Sequence, residues 1–160
     1  MVLWHNPLFQ MAVSKIIHLL LFSRYEVGMS YATLLDNALM GNQEKLRDIS
    51  LTLFLNKSAN YQGGELVIEN IEGELTFKLE VGEAVVYPSS TLHRVEPVTE
   101  GVRLVTVGWV QSFIRDPMKR EILVRSMRDI TTSHLLSETV LATFTAHGYS
   151  MCIPLSFKNF

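Results

Sequence analysis

Residues 48–56 read DISLTLFLN, with apolar Ile49, Leu51, Leu53 and Leu55 alternating with Ser50, Thr52, Phe54 and Asn56. Successive side chains on a strand point to opposite faces, so this period of two predicts a half-buried strand. Downstream, the loop KSANYQGG leads into GELVIEN, then come a turn at Gly73, ELTFKLE, a turn at Gly82 and EAVVYPS. A last long strand is expected over Arg103 to Trp109. Short strands at this spacing, punctuated by glycine, predict an antiparallel sandwich or barrel.

Upstream, SRYEVGMSYATLLDNALM (23–40) continues the strand-like pattern, interrupted at Gly28 and around Asp36 and Asn37. The apolar run IIHLLLF (16–22) is far too short to span a bilayer and has no small-residue cleavage site behind it, so a buried strand is expected there. After the sheet, IRDPMKREILVRSMRDI predicts a helix with Asp116 as cap, Pro117 at its first position and Ile122, Leu123 and Met127 as an apolar stripe. The stretch SHLLSETVLATF (133–144) suits a short helix, and the final fifteen residues show no periodicity.

The 160 residues suit a single domain with a real core. A composition of 48% hydrophobic and 19% charged residues with net charge -2 is that of a soluble globular chain. No basic block is present, which argues against nucleic acid as a partner, and nothing points to a membrane. One cysteine, Cys152, leaves no internal disulfide or cysteine-based zinc site, as suits a reducing cytoplasm.

Three residues carry candidate chemistry. Arg103 opens an apolar strand beside Val102, Leu104 and Val105. Burying a guanidinium there is costly unless an anion meets it, and either a ligand carboxylate or a structural salt bridge would serve. Asp36, followed by Asn37, reads locally as a turn or cap residue or as a ligand. His93 by itself is equally open. Gly63 and Gly64 predict a tight hairpin entry, since no lysine and Ser/Thr follow to make a phosphate loop. His5, His18, His134 and His147 lack ligand spacing, and His18 reads as a packed core histidine.

Taken together, NPLF, SRYEVGMSYATLLDNALM, RDISLTLFLN, YQGGELVIE, GEAVVYPSSTLHRVEPVTEGVRLVTVGWVQSFIRD and KREIL, in this order between Asn6 and Glu121, closely resemble the PKHD-type hydroxylases. These are prolyl- and lysyl-hydroxylase-like members of the iron(II)/2-oxoglutarate dioxygenases. The resemblance implies a mainly β fold, a double-stranded β-helix or cupin-like jelly roll with flanking helices, over 1–124, and a divergent, partly helical tail over 125–160. It implies hydroxylation of a peptidyl or small-molecule substrate, with 2-oxoglutarate decarboxylated to succinate and CO2 and ascorbate assisting. Asp36 and His93 then look like iron ligands and Arg103 like the partner of the 2-oxoglutarate carboxylate, with Tyr25, Tyr31 and Trp109 lining the pocket. The chain departs from the pattern at position 34, where Leu34 replaces the first histidine of His-x-Asp and cannot donate to iron.

Two further readings follow from that departure: a binding module that keeps the 2-oxoglutarate cradle without stable iron, and a plain structural jelly roll. The family also carries a longer segment before the first matched strand. Lost edge cover would favour a homo-oligomer.

Overall fold

Runs rich in Val, Ile, Leu, Thr and aromatic residues, broken by glycine and proline, form strands along most of the described residues, as such residues pack well on a pleated surface. The computed structural model describes residues 16–36, 49–70, 73–112, 114, 116, 118–120, 122–123, 126, 142–145 and 148–154. Its strands are β1 (Ile16–Tyr25), β2 (Tyr31–Leu34), β3 (Ile49–Phe54), β4 (Tyr61–Gly63), β5 (Leu66–Asn70), β6 (Gly73–Phe77), β7 (Glu83–Pro88), β8 (His93–Val95), β9 (Val98–Gly101), β10 (Arg103–Gln111), β11 (Ala142–Thr145) and β12 (Gly148–Pro154).

All pairings are antiparallel. One sheet runs β1-β10-β3-β7-β12-β11, a second β2-β8-β5-β6, and β4 pairs with β9 in a small ribbon. Directly opposed residues share a face, so the registers identify the inward sides. On the large sheet Tyr25 opposes Arg103, Val105 opposes Phe54, and Ser50 opposes both Trp109 and Tyr87. On the smaller sheet Leu66 opposes Val95 and Phe77, and Ile68 opposes His93. Phe54, Leu66, Ile68, Phe77, Val85, Tyr87, Val95 and Val105 from both sheets form one buried cluster. This is the expected jelly roll, and its core lies between the sheets.

Four local expectations need correction. β3 is buried on both faces rather than half-buried, because it is an interior strand of the large sheet, between β10 and β7. Its polar residues Ser50 and Thr52 turn toward the second sheet instead of toward water. The run 16–22 does form a strand, but Leu20 and Leu21 are exposed and Phe22 is 80% exposed. β1 is an edge strand, so its outward side has no neighbouring strand among the described residues. The apolar stripe after the sheet also fails at Ile122, which is exposed, whereas Arg120 is buried and its Nε donates to the Ile114 carbonyl.

The helical cap is as expected: Asp116 Oδ1 accepts the backbone N–H groups of Met118 and Lys119 at 2.9 and 3.2 Å. Pro117 and Met127 lie outside the described residues, as do His5, His134 and His147. In the tail, Ala142 to Phe144 are strand rather than helix, and β11 and β12 make a hairpin whose second strand pairs with β7. That pairing depends on the partner β7, which local periodicity in the tail does not reveal. Among the described residues no helix is long and apolar enough to cross a membrane.

Candidate functional site

His93 enters the space between the sheets from β8, opposed by Ile68 on one side and Leu34 on the other. It is 5% exposed. Its Nδ1 lies 3.0 Å from the Thr91 carbonyl oxygen. A carbonyl can only accept, so in the neutral ring the proton sits on Nδ1 and the Nε2 lone pair is free. Tyr87 meets the ring edge-on, with centroids 5.1 Å apart. Nε2 stands 3.7 Å from Asp36 Oδ1.

Asp36 follows the end of β2, and its Oδ2 accepts a hydrogen bond from the Ser50 hydroxyl of β3. The tertiary fold thus brings together an imidazole and a carboxylate from separate segments. It does not bring a third such donor: among the described residues no group of three or more His, Cys, Asp or Glu side chains could hold a metal ion. Leu34 occupies the position opposite His93, where the register would aim a longer polar side chain at the same space.

Arg103 begins β10 and is 1% exposed. Its guanidinium lies over the rings of Tyr25 and Phe54, 5.0 and 5.5 Å from their centroids. Among the described residues Nε, Nη1 and Nη2 have no hydrogen-bond partner, which sets aside a structural salt bridge to any of them. The Tyr61 hydroxyl is close enough to affect the arginine, yet it too completes no hydrogen bond of normal geometry. Burial lowers the Arg103 pKa, with Tyr25 and Tyr61 opposing that shift. Burial also raises Tyr25 and Tyr61, and Arg103 opposes both.

Gly64 holds this side of the site open. Its φ is +68°, and a Cβ there would lie 3.0 Å from both Arg103 Cδ and Val98 Cγ2. Gly64→Ala is therefore expected to cost at least about 1 kcal/mol of stability from the left-handed backbone alone. It should also weaken any anion held by Arg103. Chemical denaturation and calorimetric titration with a small dicarboxylate check both parts, and an unchanged affinity would show that the glycine does not shape the arginine's position.

A cavity of about 200 Å³ connects these groups, lined by Asp36, His93 and Arg103 together with Tyr25, Tyr31 and Trp109. All six residues singled out from the sequence border one space. The sequence reading did not identify Ser50, Tyr87, Phe54 or Tyr61. Ser50 had a visible signal in the polar positions of β3, but alternation alone does not say whether a polar face meets solvent or a site. Tyr87 is fully enclosed, and its hydroxyl pKa is raised by burial first and then by the Asp36 carboxylate.

Residues 20–111 match the family model described as the 2OG-Fe(II) oxygenase superfamily. The chain is 61% identical over 119 residues to a PKHD-type hydroxylase of Gloeothece citriformis, covering 74% of this chain and 54% of that protein. It is 62% identical over 120 residues to a PKHD-type hydroxylase of Rippkaea orientalis, with coverages of 74% and 54%. The chain spans about half the length of the curated relatives it matches. A crystal structure of an oxidoreductase of the 2OG-Fe(II) oxygenase family from Burkholderia pseudomallei shares the fold, with a TM-score of 0.51 and 20% identity over 59% of this chain and 42% of that one.

Proposed function

The chain belongs to the 2OG-Fe(II) oxygenase superfamily, and from that premise we propose that it acts as a 2-oxoglutarate-dependent hydroxylase of the PKHD type. Its substrate would be peptidyl or a small molecule, and the reaction would release succinate and CO2. The observation that carries this reading is Arg103, a buried cation at the wall of a cavity whose three nitrogens have no hydrogen-bond partner among the described residues. A buried charge without a partner is costly, and a carboxylate would satisfy two of its N–H groups at once. The remote carboxylate of 2-oxoglutarate fits that need.

Asp36 Oδ1 and His93 Nε2 would hold iron(II), and the pair fits a divalent cation: one oxygen and one imidazole lone pair facing each other across the cavity. Bound there, the metal would supply activation of dioxygen. Thr91 fixes the histidine tautomer through Nδ1, Ser50 engages the other carboxylate oxygen, and Tyr25 and Phe54 shield the arginine from water. Tyr31 and Trp109 border the space where a substrate would lie. Ascorbate would serve as reductant, and the single cysteine suits a cytoplasmic setting.

The test is succinate formation from 2-oxoglutarate by the purified chain with iron(II) and ascorbate. Turnover above a metal-free control is expected, and its absence despite bound iron would reject the hydroxylase reading. A second reading has its own support: Leu34 stands opposite His93, in the place of a third protein donor. The chain would then be a catalytically silent relative that binds 2-oxoglutarate through Arg103.

The exposed Leu20 and Phe22 on the edge strand β1 support a proposal of self-association. The sedimentation coefficient is expected to rise with protein concentration, and Phe22→Lys should suppress the rise. A monomer throughout, at high concentration, would count against it.

A further inference from the structure

Asp36 lies past the last residue of β2, outside regular structure, while Ser50 lies on β3 in the opposite sheet. The hydroxyl of Ser50 donates to Oδ2 of Asp36, and the hydroxyls of Ser50 and Ser89 are 2.9 Å apart. A carboxylate only accepts, so Ser50 commits its one proton to Asp36 and Ser89 must donate to Ser50. The two hydroxyls therefore form a chain with one direction, from Ser89 through Ser50 to Oδ2. Both serines are enclosed, at 2% and 1% exposure, so little water competes for these bonds.

The consequence falls on the other oxygen. With Oδ2 occupied, Oδ1 is the atom presented to His93 Nε2. We propose that Ser50, backed by Ser89, is a positioning residue that makes Asp36 a one-oxygen ligand for a divalent cation. This rests on the reading of Asp36 and His93 as metal ligands. A carboxylate free to turn could offer both oxygens and take up one more coordination position, or could swing away from His93. The serine pair opposes both motions, and it ties the irregular segment carrying Asp36 to the rigid large sheet.

The experiment is anaerobic titration of the full chain with Co(II), followed by its visible absorption bands, which report coordination number as well as affinity. Ser50→Ala, Ser50→Thr and Ser89→Ala are each compared with the parent and repeated in a Leu34→His background. Ser50→Ala is expected to weaken Co(II) binding by about 10- to 100-fold, as loss of an outer hydrogen bond to a metal ligand typically does, and to change the band intensity. Ser50→Thr, which keeps the hydroxyl, should restore both, and Ser89→Ala should fall between. A merely structural serine would alter stability but leave the spectrum of the bound metal unchanged.

Equal affinity and an identical spectrum in Ser50→Ala would overturn the proposal while leaving the metal site standing. Absence of cobalt bands in both backgrounds would overturn the metal reading itself and the proposal with it. Should Ser50→Ala not fold, Ser89→Ala decides: weakened cobalt binding supports the hydroxyl chain, and unchanged binding refutes it.

Discussion

Arg103→Met is expected to abolish 2-oxoglutarate binding and, at the same time, to make the ligand-free protein more stable. The two effects share one cause. The guanidinium is enclosed, and none of its nitrogens is hydrogen-bonded to a described residue. Replacing even a buried ion pair by apolar side chains of similar volume is often neutral or stabilising by about 1–4 kcal/mol, and a buried ion with no pairing to lose should follow the same direction. For a domain of this size each kcal/mol is worth about 2–4 °C in Tm. Methionine is flexible enough to fill the slot between Tyr25 and Phe54.

The ligand-bound state reverses the order. Losing one partner of a buried charge pair costs about 2–5 kcal/mol, or roughly 30- to 4,000-fold in affinity. At 2-oxoglutarate about 100 times its dissociation constant, the parent should gain about 2.7 kcal/mol of stability and the variant almost none. Denaturant melts with and without 2-oxoglutarate measure both terms. If Arg103→Met loses stability when ligand-free, the arginine has a structural partner after all. Undiminished affinity would show that the carboxylate binds elsewhere.

With Asp36 and His93 as the proposed metal ligands, Leu34→His should convert two donors into three. Leu34 is the cross-strand partner of His93, so an imidazole placed there starts from the same face and the adjacent strand. Changes around metal ligands already shift affinity by about 10- to 100-fold, and adding a ligand is expected to exceed about 100-fold. The cost is modest: leucine at this half-buried position gives up about 1 kcal/mol of apolar burial.

Anaerobic iron(II) titration with 2-oxoglutarate present, read through the metal-to-ligand charge-transfer band, separates the outcomes. The hydroxylase reading expects a band in both chains, reached at lower iron(II) in Leu34→His; a band in Leu34→His alone would instead mark the natural chain as a silent relative. A band already present in the parent would mean that another donor completes the site, and the hydroxylase reading would stand. No band in either, with 2-oxoglutarate still bound, would remove Asp36 and His93 as a metal pair.

The strand pattern was legible because period-two alternation and glycine turns are local properties. β3, β5, β6, β7 and β10 fall within one to three residues of the stretches expected from them. The roles of Asp36, His93 and Arg103 came from the resemblance; local sequence left each open to a blander reading. What alternation could not supply was which side of each strand faces inward. Ser50 and Thr52 look like a solvent face and instead point between the sheets, since β3 is flanked by β10 and β7. The same limit misplaced Leu20 to Phe22, where apolar composition suggested burial and the structure leaves the side chains exposed.

Sequence by itself determined that this chain forms short antiparallel strands and that position 34 carries a side chain unable to bind metal. Only the tertiary structure decided that Asp36 and His93 face each other, that Ser50 reaches Asp36 from the opposite sheet, and that Arg103 is enclosed beside the same cavity. The physical reason is that backbone periodicity is set by neighbours in the chain, whereas burial, charge pairing and ligand geometry are set by residues that only the pairing of distant strands brings together.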